Sequence, residues 1–297
     1  MTPAARARRA SRPARTSKSK NMKSVPDLLK SWDAVTARIR KSGRVTIFLD
    51  FDGTLVDIAP RPELVHLKPE ARDVLRRLAK HPLAKLVVVS GRRRVELLEH
   101  IGVPDIQYFG LYGWERDENS ALPGDAQEAL HAAGERLEPL LKKYPNLWIE
   151  NKKSSLSVHL LHVAKALHEK LREELTAVLK PFQKKLRAVG NIRDVEILPR
   201  SIPGKGIAVK EFLRKSAEKK ALAFYFGDDY SDESGFEAVG RGVSVHVGKA
   251  RPTKARYRVK TPTETAKALG RILGVLDEIE KDGAHKGNAH GAVAGRR

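Results

Sequence analysis

Short apolar runs alternate with longer stretches of helical period along most of this chain. Val45–Leu49 is such a run, the pattern of a strand buried on both faces. Pro69 opens a helix through Leu78, where proline suits the first turn. Lys85–Val89 is a second apolar strand, followed by a helix over about Arg93–Ile101 and a strand over Gln107–Leu111. Repeated strand, turn and helix predict an α/β fold with a parallel, doubly wound sheet. Helical periodicity in Val25–Arg40 predicts one amphipathic helix ahead of it.

The pattern then changes. Asp125–Lys143 reads as a helix, Leu147–Asn151 and Ser155–Leu160 as adjacent strands, and Val163–Leu179 as a second helix. Leu186–Val189 and Val195–Leu198 read as two more strands. This order predicts an antiparallel sheet with helices on one face, inserted into the first domain. Alternation resumes with a helix at Gly204–Arg214 and a strand at Ala221–Phe226. A short helix near Asp232–Ala238, strands near Val243–Val247 and Tyr257–Val259, and a helix over Glu264–Glu280 complete it. There is no internal repeat. The expected division is a basic tail at 1–24, a helix at 25–43, core at 44–114, an inserted α+β domain at 115–200, core again at 201–282, and a tail at 283–297.

Composition changes the picture mainly at the ends. The net charge is +21 over 297 residues, but residues 1–24 hold 8 Lys/Arg and residues 284–297 hold 3, with no acid in either. The middle keeps +10 (21 − 8 − 3), which suits an anionic substrate. The head is too poor in large apolar residues to offset the cost of ordering. It lacks the apolar core of a secretory signal, though its Arg/Ser content also resembles an organelle transit peptide. No apolar run is long enough to span a bilayer, so no membrane segment is expected. The absence of cysteine removes disulfides and thiolate chemistry and fits a reducing, cytoplasmic setting.

The chemistry concentrates at strand ends. The strand at Val45–Leu49 delivers Asp50 and Asp52 into a Gly53-Thr54 turn. In an α/β fold this is the sheet edge where ligands sit. Two carboxylates there repel unless a cation or proton joins them, which asks for a metal and leaves one Asp as a nucleophile. Three further signals follow in order: Ser90-Gly91-Arg92, Lys205 in Pro-Gly-Lys-Gly, and Gly227-Asp228-Asp229-Tyr-Ser-Asp232-Glu. Each alone has a bland reading as a hairpin turn, a helix start or a solvated acidic helix N-terminus. Their succession after apolar strands is the specific signal.

Together these motifs resemble the haloacid dehalogenase superfamily of phosphatases, over nearly all of 44–275. The resemblance implies a Rossmann-like core with an inserted α+β cap domain. It implies Asp50 as nucleophile, forming an aspartyl-phosphate, and Asp52 as general acid and then base. Lys205 would neutralise charge beside Asp50. Ser90, Gly91, Gly53 and Thr54 would bind phosphate, as amides at helix N-termini do. Mg2+ is the implied cofactor, held by Asp50, the Asp52 carbonyl and Asp228, because hard oxygen ligands suit it. Asp229, Asp232 and Arg92 would support these groups.

Glu150-Asn151-Lys152, His159 and Val195-Glu196-Ile197 narrow the resemblance to the trehalose-6-phosphate phosphatase family. It implies that Glu150, Lys152 and Glu196 bind trehalose hydroxyls from the cap. His159 reads equally as a cap-site group or a strand residue on a half-wet face. One departure stands out: Tyr112 occupies a place where family members often carry His, while Gly113 and Glu115 fit. The implied partner is a small sugar phosphate, trehalose 6-phosphate. No specific nucleic acid and no membrane are implied, and a monomer with a functional link to a trehalose-phosphate synthase is expected.

Other readings stay open at this point. One is a related sugar-phosphate phosphatase of the sucrose-phosphate or glycosyl-phosphoglycerate type. A second is a nucleic-acid binder, motivated by +21, although the core has no such motif and the chain only 6% aromatics. A third is an inactive regulatory relative, against which Asp50, Asp52, Lys205 and Asp228 all stand. Glu150 and Lys152 could form an exposed ion pair on a strand. Trp114 and Trp148 read as packing residues near the domain junction, with sugar stacking as the alternative.

Overall fold

The structure is a computed structural model that describes residues 25–294, apart from 60, 118–119, 121, 191–193 and 217–219. The chain runs α1 (Trp32–Ser42), β1 (Val45–Leu49), α2 (Pro69–Lys80), β2 (Ala84–Val89), α3 (Arg94–Ile101) and β3 (Gln107–Phe109). It continues through α4 (Gly124–Lys143), β4 (Trp148–Asn151), β5 (Leu156–His159), α5 (His168–Leu179), β6 (Leu186–Gly190) and β7 (Asp194–Pro199). It ends with α6 (Lys205–Lys215), β8 (Leu222–Gly227), α7 (Glu233–Ala238), β9 (Val243–Val247), β10 (Tyr257–Val259) and α8 (Pro262–Ala294).

Six strands form one sheet in the order β10-β9-β8-β1-β2-β3. Every pairing in it is parallel, with β1 central between β2 and β8. Alternate residues of a strand face opposite sides, and both sides are covered. Val45, Ile47 and Leu49 pack into a core with residues of α1, α2, α3 and α8. Phe48, Val87, Val89 and Tyr225 pack on the other side with residues of α6 and α7. The apolar runs are continuous because the sheet is doubly wound.

The inserted sheet is antiparallel, in the order β4-β5-β7-β6. Leu156, Val158, Val195, Ile197 and Leu186 bury one face against α4 and α5. The other face carries Glu150, Ser157 and Glu196 in one row, since Glu150 pairs with Ser157 and Ser157 with Glu196. A layer covered on one side by helices therefore presents a polar side, and that side meets the core.

Four expected spans change. Residues 25–31 are not helical. The Leu28 N–H donates to the Arg258 carbonyl, the Arg258 N–H donates to Pro26, and Asp27 Oδ1 accepts from Leu29 at 2.9 Å. This strand-like contact and Asx turn outcompete the helix, which starts at Trp32. The third strand stops at Phe109, and Leu111–Gly113 forms a single 3-10 turn with φ of 45°, 57° and 95° at Leu111, Tyr112 and Gly113. The predicted Val163–Leu179 helix begins as a short turn, Lys165–Leu167, before α5. The last helix runs to Ala294 instead of Glu280, through most of the expected tail, since extending an existing helix needs no new nucleus. The basic head, 1–24, lies outside the described residues. Among the described residues no helix is long and apolar enough to cross a membrane.

Candidate active site

The parallel sheet brings the strand-end motifs together. Asp50 follows β1, Ser90 follows β2, Asp228 follows β8, and Lys205 begins α6. The Asp50 N–H still donates to the Phe226 carbonyl at 3.0 Å, so the ladder itself carries Asp50 to the edge beside Asp228. Gly53 has φ 72°, and a Cβ there would collide with the Asp228 carboxylate. The glycine is needed for both the turn and the close approach.

Asp50, Asp228 and Asp232 each offer an oxygen within 4.8 Å of the others. Lys205 Nζ lies 2.9 Å from Asp50 Oδ1 and 2.8 Å from Asp232 Oδ1. Asp232 Oδ1 also accepts from the Tyr225 hydroxyl at 2.8 Å, and its Oδ2 accepts from the Asp229 N–H at 3.0 Å. Asp232 is therefore an anchor for Lys205, while Asp229 caps the short turn that holds Asp232. Burial, then the charge of Asp232, push the Asp50 carboxyl up to about 7 even though Lys205 acts the other way. Burial, then Asp50 and Asp232, push Asp228 well above the usual carboxylate range. Burial alone would lower Lys205, but Asp232 and Asp50 outweigh it and hold the ammonium charged. Three carboxylates share one ammonium in a buried place, so protons or a further cation must balance them. That donor set, all hard oxygens, fits a divalent cation.

The phosphate-side candidates line the same edge. Ser90 is buried, and its Oγ accepts from the Arg92 N–H at 3.2 Å. The Thr54 hydroxyl is buried with no protein partner, an acceptor-donor without a use inside the fold. A Cβ on Gly91 would lie 2.9 Å from the Tyr112 ring, so the phenol is packed on this loop. The Tyr112 N–H also donates to the Ser90 carbonyl at 2.8 Å. Asp52 sits apart from the carboxylate cluster, gripped by Arg92 through Nε–Oδ2 and Nη2–Oδ1 contacts of 2.7 Å each.

The cap-side candidates share one face. Glu196 is buried at 7% exposure and accepts from Ser155 Oγ at 2.5 Å and from Ser157 Oγ. Lys152 Nζ approaches it at 3.4 Å. Burial would lower Lys152, but Glu196 and Glu150 raise it and keep it charged. His159 Nε2 lies 3.1 Å from Glu150 Oε2, which holds Glu150 below its usual range. The charges of Glu150 and Arg92 act on each other, as do those of Lys152 and Glu96 of α3. The polar face of the cap sheet thus opposes the loop after β2.

All the residues read from the strand-end motifs gather at one sheet edge, and all four cap candidates lie on one cap face. Three participants were not read from the sequence. Tyr225 looks like a core aromatic until its hydroxyl is seen on Asp232. Ser155 and Ser157 become partners of Glu196 only through strand register. Trp148, expected to pack at the junction with sugar stacking as the alternative, is 45% exposed and stacks on His159 with ring centroids 4.2 Å apart. An apolar residue is read as buried by default, and strand alternation is what turns this one to the polar face.

Known proteins are similar to this chain in sequence and in fold. The family model described as trehalose-phosphatase matches residues 48–263. Probable trehalose-phosphate phosphatase 4 of Oryza sativa subsp. japonica is 31% identical, with 90% of this chain and 78% of the relative covered. The structure of the C-terminal domain of C. albicans trehalose-6-phosphate phosphatase matches with TM-score 0.74 at 18% identity, covering 86% of this chain and 99% of that one. A haloacid dehalogenase-like hydrolase from Bacteroides thetaiotaomicron matches with TM-score 0.56 at 18% identity, covering 77% and 99%. At such identities the structural likenesses establish the fold alone: a doubly wound parallel-sheet core with an α+β insertion.

Proposed function

The chain belongs to the trehalose-phosphatase family, and from that premise we propose that it hydrolyses trehalose 6-phosphate to trehalose and inorganic phosphate. The observation that carries the chemistry is Asp50, buried, ion-paired to Lys205 and sharing its sheet edge with Asp228. Asp50 attacks phosphorus, forming an aspartyl-phosphate as the bond to the sugar oxygen breaks. Asp52 gives its proton to that oxygen. Water then attacks the aspartyl-phosphate, Asp52 takes a proton back, and Asp50 is regenerated.

Lys205 keeps its charge through Asp232 and offsets the negative charge that builds beside Asp50. The Thr54 hydroxyl, Ser90 and the amides near Gly53 and Gly91 receive phosphate oxygens. Asp50, the Asp52 carbonyl and Asp228 would hold Mg2+, which when bound supplies Lewis-acid polarisation of the phosphoryl oxygens. Glu150, Lys152 and Glu196 take the sugar hydroxyls: the carboxylates accept and the ammonium donates. Because these groups are buried or half-buried, a sugar that leaves them unpaired is rejected. The Glu150-x-Lys152 and Glu196 set favours trehalose 6-phosphate over sucrose-phosphate or glycosyl-phosphoglycerate substrates. Residues 44–114 and 201–282 act as core and 115–200 as a closing cap. A monomer in the cytoplasm, supplied by a trehalose-phosphate synthase, completes the reading.

The test is phosphate release by the full chain from a panel of sugar phosphates, with Mg2+ and with chelator. Release from trehalose 6-phosphate, lost with chelator, is expected. Preferential release from sucrose phosphate would overturn the substrate, and metal-independent release would overturn the site.

A further inference from the structure

We propose that Trp148 is a stacking platform for the sugar ring of the substrate that does not carry the phosphate. The proposal rests on the sugar-phosphatase reading above and extends it to a residue outside the Glu150, Lys152 and Glu196 set.

Strand pairing sets Trp148 of β4 opposite His159 of β5, and their rings stack at 4.2 Å with 17° between planes. The imidazole is itself fixed, since His159 Nε2 meets Glu150 Oε2 at 3.1 Å. One face of the indole is thus covered by a pinned ring, while the residue as a whole stays 45% exposed. Trp148 and Glu150 are alternate residues of one strand and point to the same side, about 7 Å apart. That side also carries Glu196 and Ser157. It faces the core where Glu150 and Arg92 feel each other's charge and Arg92 holds Asp52. A polar track therefore leads from the phosphoryl-transfer edge through Arg92 and Glu150 to His159 and Trp148.

A pyranose ring needs two kinds of surface. Its rim of hydroxyls needs donors and acceptors, which Glu150, Lys152 and Glu196 provide. Its C–H faces are apolar and need a flat apolar partner, which an aromatic side chain provides. A disaccharide phosphate bound with its phosphoryl group at Asp50 extends a second ring away from the core. An exposed indole next to the hydroxyl-binding row is placed for that ring. Its immobilisation by His159 and Glu150 reduces the ordering cost of binding. A plain cross-strand aromatic pair would also stack, but it would have no effect on substrate choice.

The test compares Trp148→Ala and Trp148→Phe with the wild type on trehalose 6-phosphate and on a small aryl phosphate. We expect Trp148→Ala to raise KM for trehalose 6-phosphate roughly five- to tenfold, with kcat and aryl phosphate hydrolysis unchanged. Trp148→Phe should recover most of the loss. A second readout does not depend on turnover. With Trp32 and Trp114 replaced by Phe, titration with unphosphorylated trehalose should change the Trp148 emission and saturate. An unchanged KM in Trp148→Ala, equal losses on both substrates, or a flat titration would overturn the platform. Failure of the sugar-phosphatase reading would appear separately, as a wild type that releases no phosphate from trehalose 6-phosphate.

Discussion

Arg92 occupies both carboxylate oxygens of Asp52 with two parallel 2.7 Å hydrogen bonds. Such a planar fork is geometry that lysine cannot reproduce. Arg92 is only 8% exposed and its guanidinium carbon lies 5.3 Å from the centre of the Phe51 ring, so the group is itself well fixed. Asp52 must leave this grip, or be aimed by it, to deliver a proton to a sugar oxygen. Arg92→Lys is therefore expected to cut kcat on trehalose 6-phosphate by roughly tenfold or more. Hydrolysis of an aryl phosphate, whose leaving group needs no proton, should change much less. Equal loss on both substrates would show that Arg92 serves the fold and not Asp52.

Asp50→Asn removes the nucleophile and should abolish turnover on every substrate. It should not unfold the protein. Burial and the neighbouring carboxylates make the Asp50 charge unfavourable, which is why its pKa rises to about 7. In chelator, above that pH, the variant should melt at or above the temperature of the wild type. Retained phosphate release would sink the mechanism, and a large loss of melting temperature would contradict the electrostatics.

The same carboxyl sets a pH dependence. Its ordinary pKa is 3.8 and its value in the fold is about 7. The folded chain therefore binds this proton more tightly than the unfolded chain does. The stability it contributes is complete below about pH 4 and is lost as pH rises through about pH 7. A divalent cation replaces the proton. The rise in melting temperature on adding Mg2+ should be larger at about pH 8 than at about pH 5. The wild type compared with Asp50→Asn isolates this contribution, and a metal effect independent of pH would refute it.

Most of the core site was legible in the chain because it depends on local order. An apolar strand followed by Asp50-x-Asp52-Gly53, or by Ser90-Gly91-Arg92, names its own position at a sheet edge. Lys205 was legible for the same reason, at the start of a helix after Pro203-Gly204. What depends on register or long-range pairing was not. Ser157 meets Glu196 because β5 pairs with β7 in one register, and a shift of one residue would turn it away. The start of α1 was misread because Arg258, far along the chain, pairs with Pro26 and Leu28. For Trp148 the chain leaves packing and sugar stacking both open, because its exposure follows from the face it occupies, which composition does not reveal.

Glu196 provides a test of the cap. Its two oxygens are held by Ser155 and Ser157, and Lys152 lies 3.4 Å away. Glu196→Ala should damage trehalose 6-phosphate hydrolysis far more than aryl phosphate hydrolysis. Ser157→Ala removes one hydrogen bond to a charged group, of order 1.5–3 kcal/mol. It should raise KM for the sugar phosphate by roughly tenfold or more, with a smaller change in kcat. Parallel effects on both substrates would place Glu196 in the stability of the cap sheet instead.

Gly53 is the position where fold and chemistry meet most tightly. Its φ of 72° lies in the left-handed region, and a Cβ would run into the Asp228 carboxylate. Either fact alone would disfavour alanine; together they leave no cheap adjustment, because the colliding group is also the one that faces Asp50. Moving Asp228 aside would open the cluster that the cation is expected to join. Gly53→Ala should therefore lose most of its Mg2+-dependent rise in melting temperature as well as its turnover, while Gly43→Ala, at a similar φ of 72° but with nothing within 4 Å, should lose stability alone. Equal Mg2+ responses in the two variants would show that the glycine at 53 serves the turn and not the approach of Asp228.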